Sequence, residues 1–158
     1  MARAPSKKKV KKAKRATTRR RTSGKRPRRA RAAPLEPVRG ASRSDVGDVR
    51  IEIGRAWDAR VKRIVYPPGF RWSVHMRPKV GTDLCTHGHV GFLVSGAIRI
   101  DYPDGCRVDL VAPQVVAIEP GHDGAVVGDG PAVLIEVDFE RATVERLGLP
   151  PAHRHGVA

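Results

Sequence analysis

GTDLCTHGHVGFLVSG, residues 81–96, is the stretch on which the fold depends. Cys85, His87 and His89 stand at alternate positions in it, and an apolar run and a Ser-Gly turn follow. In an extended segment, residues two apart point to the same side, so these three side chains are expected to face one way. Thiolate and imidazole donors that converge on one face suit a first-row transition metal. The stretch therefore predicts a strand that carries metal ligands.

Short apolar or alternating segments fill the sequence on both sides of this stretch. They are residues 49–53, 61–66, 70–76, 90–94, 97–102, 106–111, 115–119, 125–127 and 132–139. Gly, Pro and Asp turns separate them, and Asp104-Gly105 between two alternating runs is a strong hairpin signal. Only residues 140–147, ERATVERL, have a helix-compatible composition, and a Gly and two Pro residues end them. The pattern predicts an all-β sandwich or barrel with a short C-terminal helix.

The basic residues are concentrated at the N-terminus. Sixteen of the 31 Lys and Arg lie in residues 1–34, which contain no acid, whereas the rest of the chain holds 15 basic and 16 acidic side chains. Pro and Gly punctuate the stretch that follows, as in a linker. We therefore expect four segments. They are a basic tail (1–34), a linker (35–47), a β-barrel (48–140), and a short helix with a frayed C-terminus (141–158).

The basic tail has one valine and no aromatic residue. It cannot bury enough apolar surface to offset the entropy of ordering it, so we expect it to be disordered. Lys and Arg that neutralise phosphates release counterions, which favours sequence-independent, salt-sensitive contact with nucleic acid or another polyanion. The candidate contact residues are Lys7, Lys8, Lys9, Lys11, Lys12, Arg19, Arg20, Arg21, Arg28 and Arg29. A solvated extension, an upstream stretch included by a wrong start codon and a transit peptide are the alternatives.

Three pieces of the sequence resemble the cupin family, whose members are small double-stranded β-helix, or jelly-roll, barrels. Residues 81–89 resemble the opening of the first cupin motif, and residues 92–100, FLVSGAIRI, resemble the strand, glycine turn and strand that complete it. Residues 116–132, which contain VAIEPGH and GDGPA, resemble the second motif. The resemblance covers residues 49–139. It implies a single-domain, RmlC-like cupin barrel.

The cupin resemblance implies a metal site, although this sequence departs from the usual ligand set of two histidines and a glutamate from the first motif and a histidine from the second. Counting from the first glycine of the motif gives His87 and His89 but no glutamate. Counting back from its last glycine gives Asp83, Cys85 and His89 instead. In the second motif, His122 lies two residues before the expected position. The candidate ligands for one zinc, iron or copper ion are Cys85, His89, His122, His87 and Asp83.

The resemblance also implies a ligand pocket inside the barrel. Strand alternation leaves open which side of each strand turns inward. The candidate lining residues are Trp72, His75, Phe92, Ile100 and Arg99. Arg71 and Arg99 could orient an anionic ligand or lie in solvent, and Asp123 could fix the tautomer of His122.

Two functional classes follow from these residues. The first is a small-molecule-binding or sensing protein, with or without a metal, and the second is a metal-dependent cupin enzyme, an oxygenase or isomerase, that uses the Cys/His site. The two cysteines imply no disulfide framework and favour a reducing cytoplasm. No apolar run reaches the roughly 18 residues of a membrane span. Exposed strand edges would favour a homodimer.

Overall fold

A computed structural model of the chain describes Met1 and residues 36–154. Within that part, nine strands form two sheets, which confirms the all-β prediction. The strands are β1 (Ser42–Val46), β2 (Val49–Ala56), β3 (Ala59–Tyr66), β4 (His89–Ser95), β5 (Ala97–Asp101), β6 (Arg107–Val111), β7 (Gln114–Ile118), β8 (Asp123–Val127) and β9 (Ala132–Phe139). The helices are single turns: α1 (Trp72–His75), α2 (Arg77–Val80) and α3 (Thr143–Arg146). The predicted basic tail, with its ten candidate contact residues, lies outside the described residues.

The strands pair antiparallel throughout the two described sheets. The larger sheet has the order β1-β2-β3-β9-β4-β7, and the smaller one has the order β6-β5-β8. Leu93 and Leu134 of the larger sheet share one buried cluster with Ile98, Ile100 and Leu110 of the smaller sheet. The two sheets therefore pack face to face around a common core, as sandwich and barrel folds do. β9 and β4, two adjacent inner strands of the larger sheet, lie over that core.

Residues 70–76 form α1 and its flanks, so the prediction of a strand there is wrong. The alternating Phe70 and Trp72 are both buried, as in a strand. The side chain of Asp123, however, accepts hydrogen bonds from the Ser73 N–H and hydroxyl, with N–O and O–O distances of 3.0 and 2.8 Å. Asp123, which is distant in sequence, thus provides an acceptor for the donors at the start of the helical turn. Such a tertiary cap overrides the local pattern.

Residues 42–46 form β1 and pair with β2, although the sequence analysis assigned them to the linker. β1 is an outer strand of its sheet, and Ser42 and Arg43 are exposed on it. An outer strand is held by backbone hydrogen bonds on one side and needs no apolar face, which explains why composition did not reveal it.

The outer strands of the described sheets are β1 and β7 in the larger sheet and β6 and β8 in the smaller one. Unpaired backbone groups along such edges can accept a strand from a second chain. The homodimer stays a prediction. No helix in the described part of the chain is long and apolar enough to cross a membrane.

Gly91 provides a test of the packing between β4 and β9 in the larger sheet. A Cβ at this position would meet the carbonyl oxygen of Ile135 and lie 2.7 Å from the Cα of Glu136, so the β9 backbone would have to move. We expect Gly91→Ala to lower the free energy of unfolding by about 3 kcal/mol, because the clash is with backbone atoms. Gly130→Ala is the matched control, because its Cβ would meet nothing within 4 Å. Urea unfolding measures both, and equal stability of the two variants would contradict the packing described here.

Candidate metal centre

Cys85 and His122 are joined through their backbones. The Cys85 N–H donates to the His122 carbonyl with an N–O distance of 2.9 Å, and the Gly121 N–H donates to the Cys85 carbonyl at 2.7 Å. This isolated antiparallel bridge holds the loop before β4 against the turn before β8. β4 begins only at His89, so the prediction of one strand through Cys85, His87 and His89 is wrong. A tertiary bridge brings the thiol to the imidazoles.

The ligand atoms of Cys85, His89 and His122 all lie within 4.8 Å of one another. The Cys85 Sγ lies 3.6 Å from the His89 Nε2, and the ring centroids of the two histidines are 5.3 Å apart. Cys85 and His122 are 7% and 3% exposed. One thiol and two imidazoles at this spacing form a donor set that suits zinc and the neighbouring transition metals.

The backbone fixes the orientation of His122. Its Nδ1 lies 2.7 Å from the carbonyl oxygen of Glu119. Because a carbonyl only accepts, Nδ1 is the donor in this hydrogen bond, and Nε2 is the ring nitrogen that remains for a metal. The predicted partner Asp123 is instead engaged with Ser73 and Arg71. The tautomer of His122 is therefore set by a main-chain group.

A buried carboxylate, which is not among the residues predicted from sequence, fixes the orientation of His89. Glu136 in β9 is 1% exposed, and its Oε2 lies 2.6 Å from the His89 Nδ1. Its other oxygen accepts a hydrogen bond from the Lys62 Nζ at 3.3 Å. The available signal was the alternation of β9, which puts Leu134, Glu136 and Asp138 on one face. Two carboxylates on the buried face of a strand indicate a site.

The charges in this cluster reinforce one another. Burial would raise the pKa of the Cys85 thiol, but hydrogen bonds from His122 and His89 and their positive charge outweigh it and lower that pKa to about 5. Burial would lower the pKa of His89, but the charge of Glu136 and the contact with Cys85 raise it to about 10. Burial would raise the pKa of Glu136, yet His89 and Lys62 lower it to about 2. A thiolate is therefore available at neutral pH, and a metal would displace a proton from His89.

A second set of buried charges adjoins Glu136. The Nζ of Lys62 contacts both Glu136 and Asp138. Arg60 donates two hydrogen bonds to Asp138, from Nε at 2.8 Å and from Nη2 at 2.6 Å. Two cations thus balance two carboxylates on the inner face of β3 and β9, which is the condition for keeping such groups buried.

The ligand cluster opens onto a cavity of about 300 Å³. The wall around the cluster is largely aliphatic and aromatic. Its apolar side chains are Ile51, Ile64, Tyr66, Phe70, Trp72, Met76, Val80, Ile98, Ile100, Ile118, Val126 and Leu134. The ionisable groups in the wall are Lys62, Cys85, His87, His89, His122 and Glu136. An apolar cavity with convergent polar groups is the usual form of a small-molecule site.

Two of the five predicted metal ligands lie apart from the cluster. Asp83 is largely exposed, and its Oδ1 lies 2.9 Å from the Nη2 of Arg77, so this assignment is corrected. His87 reaches the cavity wall, but its side chain is half exposed and its Nε2 lies 3.7 Å from the Oδ2 of Asp138. Both residues belong to the loop before β4, where strand alternation does not apply. Cys85 is drawn inward from the same loop by its backbone bridge to His122.

The predicted pocket residues Trp72 and Ile100 line the cavity, whereas Arg99 does not. Arg99 lies on the outer face of β5, because Ile100 takes the inner one. Its guanidinium donates from Nε to Asp109 at 2.7 Å. The assignment of Arg99 to the pocket is therefore corrected, and solvent exposure was the alternative that alternation had left open.

Phe92 and His75 also lie away from the cavity wall. Leu93 is fully buried on the inner face of β4, so Phe92 points outward and is 43% exposed. His75 stacks on Phe70 with ring centroids 5.4 Å apart, and its Nδ1 contacts the backbone of Arg71. Both pocket assignments are corrected.

Comparison with solved structures finds cupins. A Cupin 2 conserved barrel domain protein from Salinispora arenicola is similar at 21% identity, with 74% of this chain and 97% of that chain covered and a TM-score of 0.45. An RmlC-like cupin from Shewanella frigidimarina is similar at 22% identity, with 67% and 88% covered and a TM-score of 0.45. These matches concern the fold alone, and no family model and no curated protein matches the chain.

The ion pairs of Asp138 give a prediction about stability and pH. Burial would raise the pKa of Asp138, but Arg60 and Lys62 hold it below the usual value. The stabilisation is therefore complete above the pKa of an unfolded aspartate, about 3.9, and is lost as the pH falls below it. We expect Asp138→Asn to lower the free energy of unfolding by about 3 kcal/mol at pH 7, because Arg60 loses its carboxylate partner and Lys62 loses one of two.

Urea unfolding at pH 7 and pH 3 tests this expectation, and the gap between the wild type and Asp138→Asn should shrink at the lower pH. Asp109→Asn is the control, since the Asp109–Arg99 pair is exposed to solvent and should contribute little. A gap that stays constant with pH, or an equal loss in the control, would contradict the account.

Proposed function

We propose that residues 36–154 form a small-molecule-binding domain that holds one transition-metal ion through Cys85, His89 and His122. The observation that carries this proposal is the convergence of one Sγ and two ring nitrogens within 4.8 Å at the wall of an apolar cavity. Zinc is the first candidate, because it accepts thiolate and imidazole together in a tetrahedral site. Iron and copper fit the same donors.

Outer partners of the two histidines support the metal proposal. The Nδ1 of His89 is engaged by the carboxylate of Glu136, and the Nδ1 of His122 by the carbonyl of Glu119. The Nε2 atoms of the two rings therefore face the cluster. Partners of this kind fix the ring and raise its basicity as a ligand.

Three protein ligands would leave one position of a tetrahedral ion open to the cavity. A donor atom of a bound small molecule could take that position, which suits a binding or sensing protein. The second candidate is a metal-dependent enzyme of the oxygenase or isomerase type, and the open position favours it too, since a bound water or substrate there becomes reactive. Mass spectrometry of a ligand recovered after incubation distinguishes the two: a sensor returns it unchanged, and an enzyme converts it.

The metal proposal predicts one zinc ion per chain in the zinc-loaded protein. We expect Cys85→Ala and His122→Ala to weaken zinc binding more than about 100-fold, which exceeds the usual effect of removing an outer partner. Competition with a chromophoric chelator measures the affinity. Cys106→Ala is the control, because Cys106 is the second free cysteine and lies outside the cluster. Wild-type affinity in Cys85→Ala would overturn the proposal.

If Glu136 orients His89, replacing Glu136 should weaken zinc binding although no metal ligand is removed. Glu136→Gln keeps the size of the side chain but removes the charge that faces His89. We expect zinc affinity to fall about 10- to 100-fold. Glu119→Gln is the matched control, because Glu119 serves His122 through its main-chain carbonyl, which the substitution keeps. The same chelator competition compares them, and an equal loss in both variants would contradict the role given to Glu136.

We also propose that the basic tail contacts nucleic acid without sequence preference. The support is the sequence alone: sixteen Lys and Arg and no acid in residues 1–34. Deletion of residues 1–34 should abolish retention on immobilised DNA at low salt and leave the urea midpoint nearly unchanged. Retention of the full chain should weaken steeply as salt rises. Persistent retention of the truncated chain would refute this role.

A further inference from the structure

We propose that the cavity takes an apolar monocarboxylate of about ten non-hydrogen atoms, with its carboxylate at the metal centre and its hydrocarbon along the aliphatic wall. This proposal rests on the proposed metal at Cys85, His89 and His122. It adds the chemical class of the ligand, which follows from the wall, the charge, the hydrogen-bonding groups and the volume of the cavity.

The ionisable side chains of the cavity wall are the cluster and its neighbours Lys62, His87 and Glu136, and most of the remaining wall is aliphatic or aromatic. Ile64, Ile98, Ile100, Val126 and Leu134 come from strands of both sheets and surround the space beside the cluster. A sugar or another polyol would lose its hydration there without hydrogen bonds in return. A hydrocarbon body would gain free energy from the same transfer. The ligand therefore has one polar end.

The net charge of the metal centre favours an anionic group at the polar end of the ligand. A divalent ion with one thiolate and two neutral imidazoles carries one net positive charge, since a coordinated thiol is deprotonated. Nearby, Lys62 is paired with Glu136 and Asp138, and Arg60 is also paired with Asp138, so these groups cancel. A single anionic donor balances the remaining charge. An ammonium group would be repelled.

Tyr66 supplies a hydrogen-bond donor beside the centre. Its ring lines the cavity, and within residues 36–154 its hydroxyl makes no hydrogen bond. Burial holds the pKa of Tyr66 well above its usual value, and the negative charges of Glu136 and Cys85 add to the effect. The hydroxyl thus remains protonated and lies within electrostatic reach of the cluster. A carboxylate can accept its hydrogen bond with the oxygen that faces away from the metal.

The volume limits the length of the ligand. A cavity of about 300 Å³ equals roughly ten waters at about 30 Å³ each in the liquid. Octanoate has ten non-hydrogen atoms and is a suitable probe. Octanol and octylammonium keep the eight carbons but carry a neutral or a cationic head in place of the carboxylate, and gluconate keeps the carboxylate on a chain that carries hydroxyls.

The experiment uses the full chain loaded with cobalt(II), whose visible spectrum reports on the ligands of the ion. We expect octanoate to change that spectrum and to bind at least about tenfold more tightly than octanol or octylammonium in isothermal titration, with gluconate leaving the spectrum unchanged. A tenfold ratio corresponds to about 1.4 kcal/mol. Tyr66→Phe should keep the cobalt spectrum and bind octanoate about tenfold more weakly, because it lacks one hydrogen bond to a charged group.

Gly124→Leu tests the position of the hydrocarbon. A Cβ at Gly124 would make only an ordinary contact with Ile100, at 3.6 Å, so the added side chain extends into the cavity without a backbone clash. We expect octanoate affinity to fall at least about tenfold and butyrate affinity to stay within about twofold of the wild type. Gly124→Ala, which adds one methyl, provides a milder step if the larger variant folds poorly.

The outcomes separate the two proposals. A chain that takes up no cobalt would overturn the metal centre and this inference with it. A cobalt-loaded chain whose spectrum ignores octanoate, or that binds gluconate or octylammonium equally well, would overturn this inference alone. Equal losses of octanoate and butyrate in Gly124→Leu would overturn the placement of the hydrocarbon.

Discussion

The hydrogen bond between His89 and Glu136 joins β4 and β9, two adjacent inner strands of the larger sheet, and much of the site depends on it. A carboxylate that is almost fully buried needs partners to remain charged. Glu136 finds one in His89 of β4 and another in Lys62 of β3, so three adjacent strands contribute to one cluster. Gly91, which is paired with Glu136, allows the backbones of β4 and β9 to approach closely enough for this contact. The same bond turns the His89 Nε2 toward Cys85.

The interior of the barrel is divided between these charges and an apolar space. Cys85, His89 and His122 line the apolar cavity together with the charged pair Lys62 and Glu136. Water is scarce in such a position, so each electrostatic contact is stronger than at a surface. This explains how a thiolate and a protonated imidazole are held side by side before any metal is present. It also explains why the proposed ligand has a single polar end.

Strand periodicity predicted most of the sheet correctly. The alternating runs from residue 49 onward correspond to strands, and Asp104-Gly105 connects β5 to β6 as its turn chemistry indicates. The pattern was misleading at residues 70–76, where Asp123 caps a helical turn from far along the chain. The alternation pattern also missed β1, a polar strand that is held by its backbone pairing with β2. In both places a tertiary contact decided a structure that local sequence did not indicate.

The chemistry of the side chains predicted which residues converge, but it did not predict how the chain brings them together. Cys85, His89 and His122 were proposed for their donor atoms, and the structure brings these atoms together, although through a backbone bridge and not along one strand. Asp83 and His87 were included by an alternation that their loop does not follow. Glu136 was missed because a charge on a strand usually faces solvent. Its partner Lys62 lies 74 residues away, a pairing that no local pattern records.

The most direct measurement is zinc K-edge X-ray absorption of the zinc-loaded protein. The account predicts one sulfur ligand at about 2.3 Å and nitrogen or oxygen ligands at about 2.0 Å, with the sulfur lost in Cys85→Ala. A shell without sulfur, or a sulfur that persists in Cys85→Ala, would contradict the assignment of the metal to Cys85, His89 and His122.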